Sequence, residues 1–220
     1  IQESRRSGRV GVPLGGRARR RVARIATAPR WVTLPAMPSA ALLVIGNEIL
    51  SGKVRDTNSA FLAIELRKLG VDLERILTIP DEIDLIARET RAMSDAYDFV
   101  FTSGGIGPTH DDITADCIAA AFGRAIDVRA DARALLAAHY AKTGSELNAA
   151  RLRMARIPEG AALIDNPVSV APGFIVENVD VMAGVPSVFR AMVASVLPAL
   201  SGGAPLISET VEIDRGEGDI

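Results

Sequence analysis

A glycine-rich segment between an apolar run and a helical pattern constrains the fold of this chain more than any other feature. Residues 102–114 read Thr-Ser-Gly-Gly-Ile-Gly-Pro-Thr-His-Asp-Asp-Ile-Thr. The apolar run 97–101 before them predicts a buried strand, and residues 115–122 after them carry apolar side chains at helical spacing. Glycine lets backbone N–H groups approach an anion closely at the start of a helix. The segment therefore predicts a phosphate-binding turn between a strand and a helix.

Two carboxylates, Asp111 and Asp112, stand beside this turn. A carboxylate at the start of a helix is common as an N-cap, and that role would account for one of them. Two acids would repel a phosphate unless a divalent cation lay between them. The pair therefore predicts a metal-bridged phosphate site, with capping as the structural alternative.

From Ser39 onward the chain alternates strand and helix patterns. Residues 40–45 are a near-continuous apolar run, which is typical of a central parallel strand. The alternation predicts an α/β fold in which a mostly parallel sheet is covered by helices on both faces. The predicted strands are 40–45, 71–79, 99–102, 173–177 and 179–182, and the predicted helices are 58–69, 83–93, 115–122, 129–142, 147–156 and 187–200, of which 129–142 and 147–156 would shape a ligand cleft.

Composition narrows the class of protein. The longest apolar stretches are too short to span a bilayer. Cys117 is the only cysteine, which excludes an internal disulfide and suits a reducing compartment, so we expect a cytoplasmic protein. We interpret Cys117 as a core residue, with a Cys117–His110 dyad as the alternative.

Charge divides the chain at Met37. Residues 1–36 hold nine arginines and one acid, which leaves 16 of the 25 basic and 26 of the 27 acidic residues to the rest of the chain. An acidic body disfavours binding to nucleic acid. The leader 1–36 could be a nucleic-acid arm, a transit peptide or a mis-extended reading frame. We expect the last, a disordered and non-native leader, because the first strand pattern begins just after Met37. We also expect residues 201–220 to be a linker and the start of a truncated C-terminal subdomain.

The glycine-rich segment resembles the T-x-G-G-x-G-x-x-x-x-D-x-T signature of Mog/MoaB-type molybdopterin-binding domains at all its fixed positions. Residues 46–58, 166–174 and 184–187 extend the resemblance, in order, to the N-terminal domain of the competence/damage-inducible protein CinA and its stand-alone relatives. It covers about residues 39–200. Ser169 and Ala183 depart from the family pattern, since many relatives have glycine at the first position and proline at the second.

The resemblance implies a three-layer α/β/α sandwich of molybdopterin-binding type and a phosphorylated ligand. Such relatives bind or adenylylate molybdopterin, or, in the CinA-like branch, cleave the pyrophosphate of ADP-ribose with Mg²⁺ or Co²⁺. We favour the CinA-like branch, with molybdenum-cofactor biosynthesis or a non-catalytic pterin or nucleotide binder as alternatives. The resemblance also implies a homo-oligomer, trimer or dimer, without nucleic-acid or membrane partners.

The same resemblance implies roles for individual residues. Asp56 and Asp112 would be catalytic, while Glu48, Asp111 and Asp112 would hold a metal. Each has a structural alternative: Asp56 as a helix cap and Glu48 as a solvated loop acid. The implied ligand-binding residues are Asn58, Thr102, Ser103, Gly104, Gly105, Gly107, Pro108, Thr109, Thr114, Asn166, Pro172, Gly173, Gly184, Pro186 and Ser187.

Overall fold

The computed structural model describes residues 37–200 and 202–203. Our predictions for the leader 1–36 and for the C-terminal subdomain lie outside the described residues. The strands are β1 (Ser39–Ile45), β2 (Asp72–Ile79), β3 (Phe99–Ser103), β4 (Ile126–Val128), β5 (Arg156–Pro158), β6 (Ala162–Ile164), β7 (Gly173–Val176) and β8 (Val179–Met182). The helices are α1 (Asn47–Leu50), α2 (Asn58–Lys68), α3 (Ile83–Ala96), α4 (Thr114–Ala121), α5 (Ala130–Lys142), α6 (Ala149–Leu152) and α7 (Pro186–Val196).

Six strands form one mixed sheet in the order β2-β1-β3-β8-β7-β6. The first four are parallel, whereas β7 pairs antiparallel with β8, and β6 antiparallel with β7. The strands β7 and β8 were predicted, and they pair antiparallel with β8 at the centre of the sheet. The carboxyl ends of β1, β3 and β8 therefore meet at one edge.

Both faces of the sheet are buried at its central strands β1, β3 and β8, whose alternate side chains point to opposite sides. On one face, Leu43 and Ile45 pack in a cluster with side chains of α3, α4 and α5. On the other, Leu42 and Val44 pack with side chains of α2 and α7. This double burial explains the unbroken apolar run of β1 and confirms the three-layer α/β/α prediction.

Several local predictions were wrong. Residues 147–156 form only α6 and a 3₁₀ turn, Arg153–Ala155, before the chain enters β5, which pairs with β4 in a separate two-stranded ribbon. The short strands β4, β5 and β6 were missed, since three residues carry no readable alternation. The predicted helix 83–93 extends to Ala96, and Ile83 at its start is 56% exposed.

Cys117 is fully buried in the core, and burial raises the pKa of its thiol to about 12. His110 is exposed. A Cys117–His110 dyad is therefore wrong, because a buried, protonated thiol is not a nucleophile. Within the described part of the chain, no helix has the length and apolar character needed to cross a membrane.

Candidate functional site

Three loops meet at the carboxyl edge of the sheet, after β1, β3 and β8. Asn58, at the start of α2, joins them: its Nδ2 donates to Ser103 Oγ at 2.9 Å and to the Gly184 carbonyl at 2.8 Å. The N–H of Gly104 donates to the Met182 carbonyl at 3.1 Å. Ligands of open α/β sheets bind at this kind of edge, so the loops define the candidate site.

The signature glycines are required by the shape of the loop after β3. Gly104 and Gly105 have φ of +118° and +70°, which favour glycine. A Cβ on Gly104 would overlap the Ile45 carbonyl, and one on Gly105 would overlap Thr114 Oγ1. The glycines therefore let the loop pack closely against its neighbours.

Thr102 and Thr114 lie beneath this loop. Both are fully buried. The Thr114 hydroxyl donates to the Gly104 carbonyl at 3.0 Å, and Thr102 Oγ1 accepts from the Met182 N–H at 3.4 Å. We therefore expect these two residues to position the loop.

The side chains of Asp112 and Asp111 both contact Thr109, in the loop that carries all three residues. Asp112 Oδ2 accepts from the Thr109 N–H at 2.8 Å and lies 2.6 Å from Thr109 Oγ1, and Asp111 Oδ1 also contacts that hydroxyl. Thr109 thereby holds the pKa of Asp111 below its usual range. Ile113 is the N-cap of α4, without a side-chain cap. The capping alternative for these two acids is therefore wrong.

Asp56 does cap a helix. Its Oδ1 accepts from the N–H groups of Asn58 at 2.9 Å and Ser59 at 3.1 Å, and its Oδ2 contacts the Ser59 hydroxyl. Asp56 also lines a small hollow together with Glu48, Asn58, Ser103, Gly184 and Pro186. Asp56 therefore caps α2, as the structural alternative predicted. Because Asp56 also lines the hollow, a role in ligand binding is compatible with this cap.

Asn58 carries the most informative polar atom of this hollow. The residue is 4% exposed, and its Oδ1 has no hydrogen-bond partner among the residues that the structure describes. Leaving a buried acceptor unpaired costs about 1–3 kcal/mol. A ligand hydroxyl or a cation at this oxygen would relieve that cost.

The four acids do not form a ready-made metal site. Nowhere in residues 37–200 do three or more His, Cys, Asp or Glu side chains converge as metal ligands would. Glu48 lies with Asp56, whereas Asp111 and Asp112 share Thr109 in the other loop. Mg²⁺ is commonly held by one or two carboxylates and by substrate phosphates. The residues therefore fit a cation that arrives with a phosphorylated ligand.

A basic residue that sequence reasoning missed lies next to Asp112. Arg153 Nη2 donates to the Asp112 carbonyl at 3.3 Å, and its buried Nε has no partner within the described range. The two side chains, with Gly105, Gly107 and Pro172, line one hollow. No sequence pattern pointed to Arg153, because it lies in the short 3₁₀ turn between α6 and β5.

An apolar cleft of about 380 Å³ lies on the other side of the same loop. Tyr140 and Met154 contribute to its wall, which confirms that the segments around α5 and α6 shape a cleft. Ser169 and Ala183, the two departures from the family pattern, also line it. The remaining lining residues are Ile106, Gly107, Pro108, Asn166, Ala171, Val185, Val188 and Met192.

The other predicted residues shape the walls. Asn166 is buried and holds its own turn, with Oδ1 accepting from the N–H groups of Val168 and Ser169 and Nδ2 donating to the Ala171 carbonyl. A Cβ on Gly173 would lie 2.5 Å from the Val181 carbonyl. Ser187 is exposed in the first turn of α7. Asn166 and Gly173 thus stabilise the fold locally, and Asn166 also lines the apolar cleft.

Comparison with known proteins agrees with this geometry. A family described as "Probable molybdopterin binding domain" matches residues 41–202. A protein of Archaeoglobus fulgidus is 42% identical over 146 residues, 66% of this chain and 62% of that protein. A CinA-like protein of Citrifermentans bemidjiense is 38% identical over 167 residues, 74% of this chain and 40% of the relative. The chain thus spans less than two thirds of the length of these two relatives.

The fold has a solved counterpart. The crystal structure of the protein CinA from Thermoplasma acidophilum superposes with a TM-score of 0.67 at 33% identity, covering 74% of this chain and 97% of that one. The family match covers most of the described domain, and the solved structure is matched over almost its whole length. The chain therefore belongs to the molybdopterin-binding-domain family, in its CinA-like branch.

Proposed function

We propose that this chain binds a phosphorylated nucleotide or pterin together with a divalent cation and hydrolyses a nucleotide pyrophosphate of the ADP-ribose type. One observation carries the proposal. Gly107 lines both the apolar cleft and the hollow that contains Asp112 and Arg153. A ligand laid across Gly107 would have its ring in the cleft and its phosphates beside charged groups.

The apolar cleft suits a planar heterocycle. Its volume of about 380 Å³ lies within the range of small-molecule sites. Tyr140 and Met154 line the cleft, and aromatic and thioether groups favour contact with such a ring, although the Arg151 guanidinium already lies over the Tyr140 ring at 4.3 Å from its centroid. The glycine loop, held down by Thr114, would then present its backbone N–H groups to the phosphates.

The charged residues supply the chemistry. We propose that Asp112 orients the cation or the attacking water, and that Arg153 stabilises the negative charge that develops on the pyrophosphate. Glu48, Asp56 and the unpaired Asn58 oxygen would bind the part of the ligand that lies farther from the apolar cleft, or would coordinate the cation from the side opposite Asp112. A bound Mg²⁺ or Co²⁺ would neutralise phosphoryl charge and polarise the phosphorus–oxygen bond.

The test is an incubation of purified protein with ADP-ribose and Mg²⁺ or Co²⁺, followed by measurement of AMP and ribose phosphate. We expect turnover that EDTA abolishes. Arg153→Lys keeps a positive charge but loses the planar guanidinium, so we expect it to lower turnover, whereas the exposed Arg88→Lys should not. Absence of AMP with either metal would contradict hydrolysis.

Molybdopterin binding or adenylylation is the second candidate, and the family match supports it. The same cleft and loop would hold the pterin and its phosphate. Equilibrium binding of molybdopterin, with and without Mg²⁺ and ATP, distinguishes this candidate: formation of an adenylylated pterin without ADP-ribose hydrolysis would favour it. Tight binding without any product would instead favour a passive carrier.

We further propose that the protein acts in the cytoplasm as a homo-oligomer, a dimer or a trimer. The oligomer follows from the resemblance to the family, and the cytoplasmic location from the single cysteine, which suits a reducing compartment. Light scattering coupled to gel filtration measures the mass directly, and a monomer at micromolar concentration would contradict the oligomer.

A further inference from the structure

A second cleft lies at the opposite end of the sheet from the candidate site, between the sheet and the end of α7. Its volume is about 530 Å³, within the range of small-molecule sites. Asp98 and Asn178 line it, and they immediately precede the parallel strands β3 and β8, so the cleft lies at the amino-terminal ends of these two strands. Apolar side chains form most of the wall, among them Phe99, Leu163, Ile175, Val196 and Leu200.

Asp180 of the central strand β8 lies in this cleft. It is paired in the sheet between Phe101 of β3 and Ile175 of β7, and it is 4% exposed. No hydrogen bond to its carboxylate comes from the residues that the structure describes, whereas burying an uncompensated carboxylate is costly. Burial raises the pKa of Asp180 to about 7. This acid plays no part in the proposed pyrophosphatase site.

The charges around the cleft have one sign. Asp98, Asp165, Glu177 and Asp180 line it, and none of its described lining residues is Lys, Arg or His. Asp98 is already engaged, because its Oδ2 accepts from the Ser39 N–H at 2.8 Å and hydroxyl at 2.9 Å. Glu177 pairs with Arg124. The uncommitted negative charge is therefore that of Asp180 and the exposed Asp165.

The chemistry of the cleft selects an organic cation over a metal ion. The described residues bring no three acidic, His or Cys side chains together as metal ligands. A single buried carboxylate against an apolar wall is complementary to an ammonium or guanidinium group that carries a hydrophobic body. We propose that this cleft is a binding site for a small organic cation, with Asp180 as its anionic partner.

Two probes of equal shape test the proposal, namely benzylamine, which is cationic, and benzyl alcohol, which is neutral. We expect benzylamine to bind at least about tenfold more tightly, as a charge-assisted hydrogen bond would give. Asp180→Asn should remove this preference. Asp98→Asn is the matched control, because Asp98 lines the same cleft but its carboxylate is engaged by Ser39; it should keep the preference.

The wild-type protein provides a test that does not depend on folding of a variant. Asp180 is neutral below its raised pKa, and the ammonium of benzylamine stays charged, so the affinity for benzylamine should increase as pH rises from 6 to 8. The affinity for benzyl alcohol should stay constant. Asp98, Asp165 and Glu177 face the same cleft, and the hydrogen bonds from Ser39 hold the pKa of Asp98 below its usual range.

Equal binding of the two probes, an unchanged preference in folded Asp180→Asn, or a flat pH profile would each overturn the proposal. In the first case the cleft is only an apolar groove. The AMP assay is independent of these outcomes, because Asp180 is not part of the glycine-loop site, and Asp180→Asn should leave pyrophosphate hydrolysis unchanged.

Discussion

The loops that follow β1 and β3 both carry carboxylates but use them differently. Asp56 of the first loop commits both oxygens to the start of α2. Asp112 of the second loop commits only Oδ2, to Thr109 of its own turn, and leaves α4 without a side-chain cap. Asp56 is held in place by the start of a helix, whereas Asp112 is held by the same loop that would bind the ligand. An acid before a helix is therefore not a cap by position alone.

Asp112→Asn should give the largest effect in this comparison. The Asn oxygen can still accept from the Thr109 N–H, so the turn should survive while the charge is lost. We expect turnover of ADP-ribose to fall by about 10²–10³-fold with a melting temperature close to that of the wild type. Near-normal turnover in a folded variant would refute the catalytic role and favour a passive binder.

Replacements of Asp56 should separate its two roles. Asn caps a helix about as well as Asp, so Asp56→Asn should keep its stability but lose turnover by about 10²-fold. Asp56→Ala should in addition lower the free energy of unfolding by about 1 kcal/mol. Urea denaturation beside the AMP assay measures both quantities. If Asp56→Asn is fully active, Asp56 serves only as a cap.

Glycines of the two loops offer a matched stability test. Gly52 and Gly105 have nearly the same φ, +73° and +70°, but a Cβ on Gly52 would meet nothing within 4 Å, whereas one on Gly105 would overlap Thr114. Gly105→Ala should cost about 2–3 kcal/mol in unfolding free energy, and Gly52→Ala about 1 kcal/mol. Equal costs would mean that the loop after β3 can move away from Thr114.

Asp111→Asn should have the smallest effect. Asp111 is exposed and contacts only Thr109, so turnover should change by no more than about twofold. Because its pKa is lowered in the folded protein, its small contribution to stability is present above its usual value of 3.8 and is lost as pH falls through the folded-state pKa. A large loss of turnover would place Asp111 with Asp112 in metal binding.

Sequence patterns predicted the parts of the molecule that depend on local periodicity. The apolar run of β1 and the glycine-rich turn both lie where predicted. A strand that is buried on two faces needs consecutive apolar residues, and a turn with positive φ favours glycine, so both features can be recognised in the sequence. The two-stranded ribbon of β4 and β5 was not predictable, because its strands are defined by their pairing alone. The same holds for Asn58 as the link between three loops and for Arg153 beside Asp112, which depend on contacts between distant segments.

The central position of β8 has a consequence for how the chain folds. β3 gains its second neighbour only when residues 179–182 have been made, and the face that carries Leu42 and Phe101, which α2 covers in part, is fully covered only when α7 follows. Pairings between distant segments slow folding, because the intervening chain must be ordered before they form. During synthesis, β1 and β3 therefore present an uncovered apolar surface until almost the whole domain has left the ribosome. The last elements to appear are thus the ones that protect the first from aggregation.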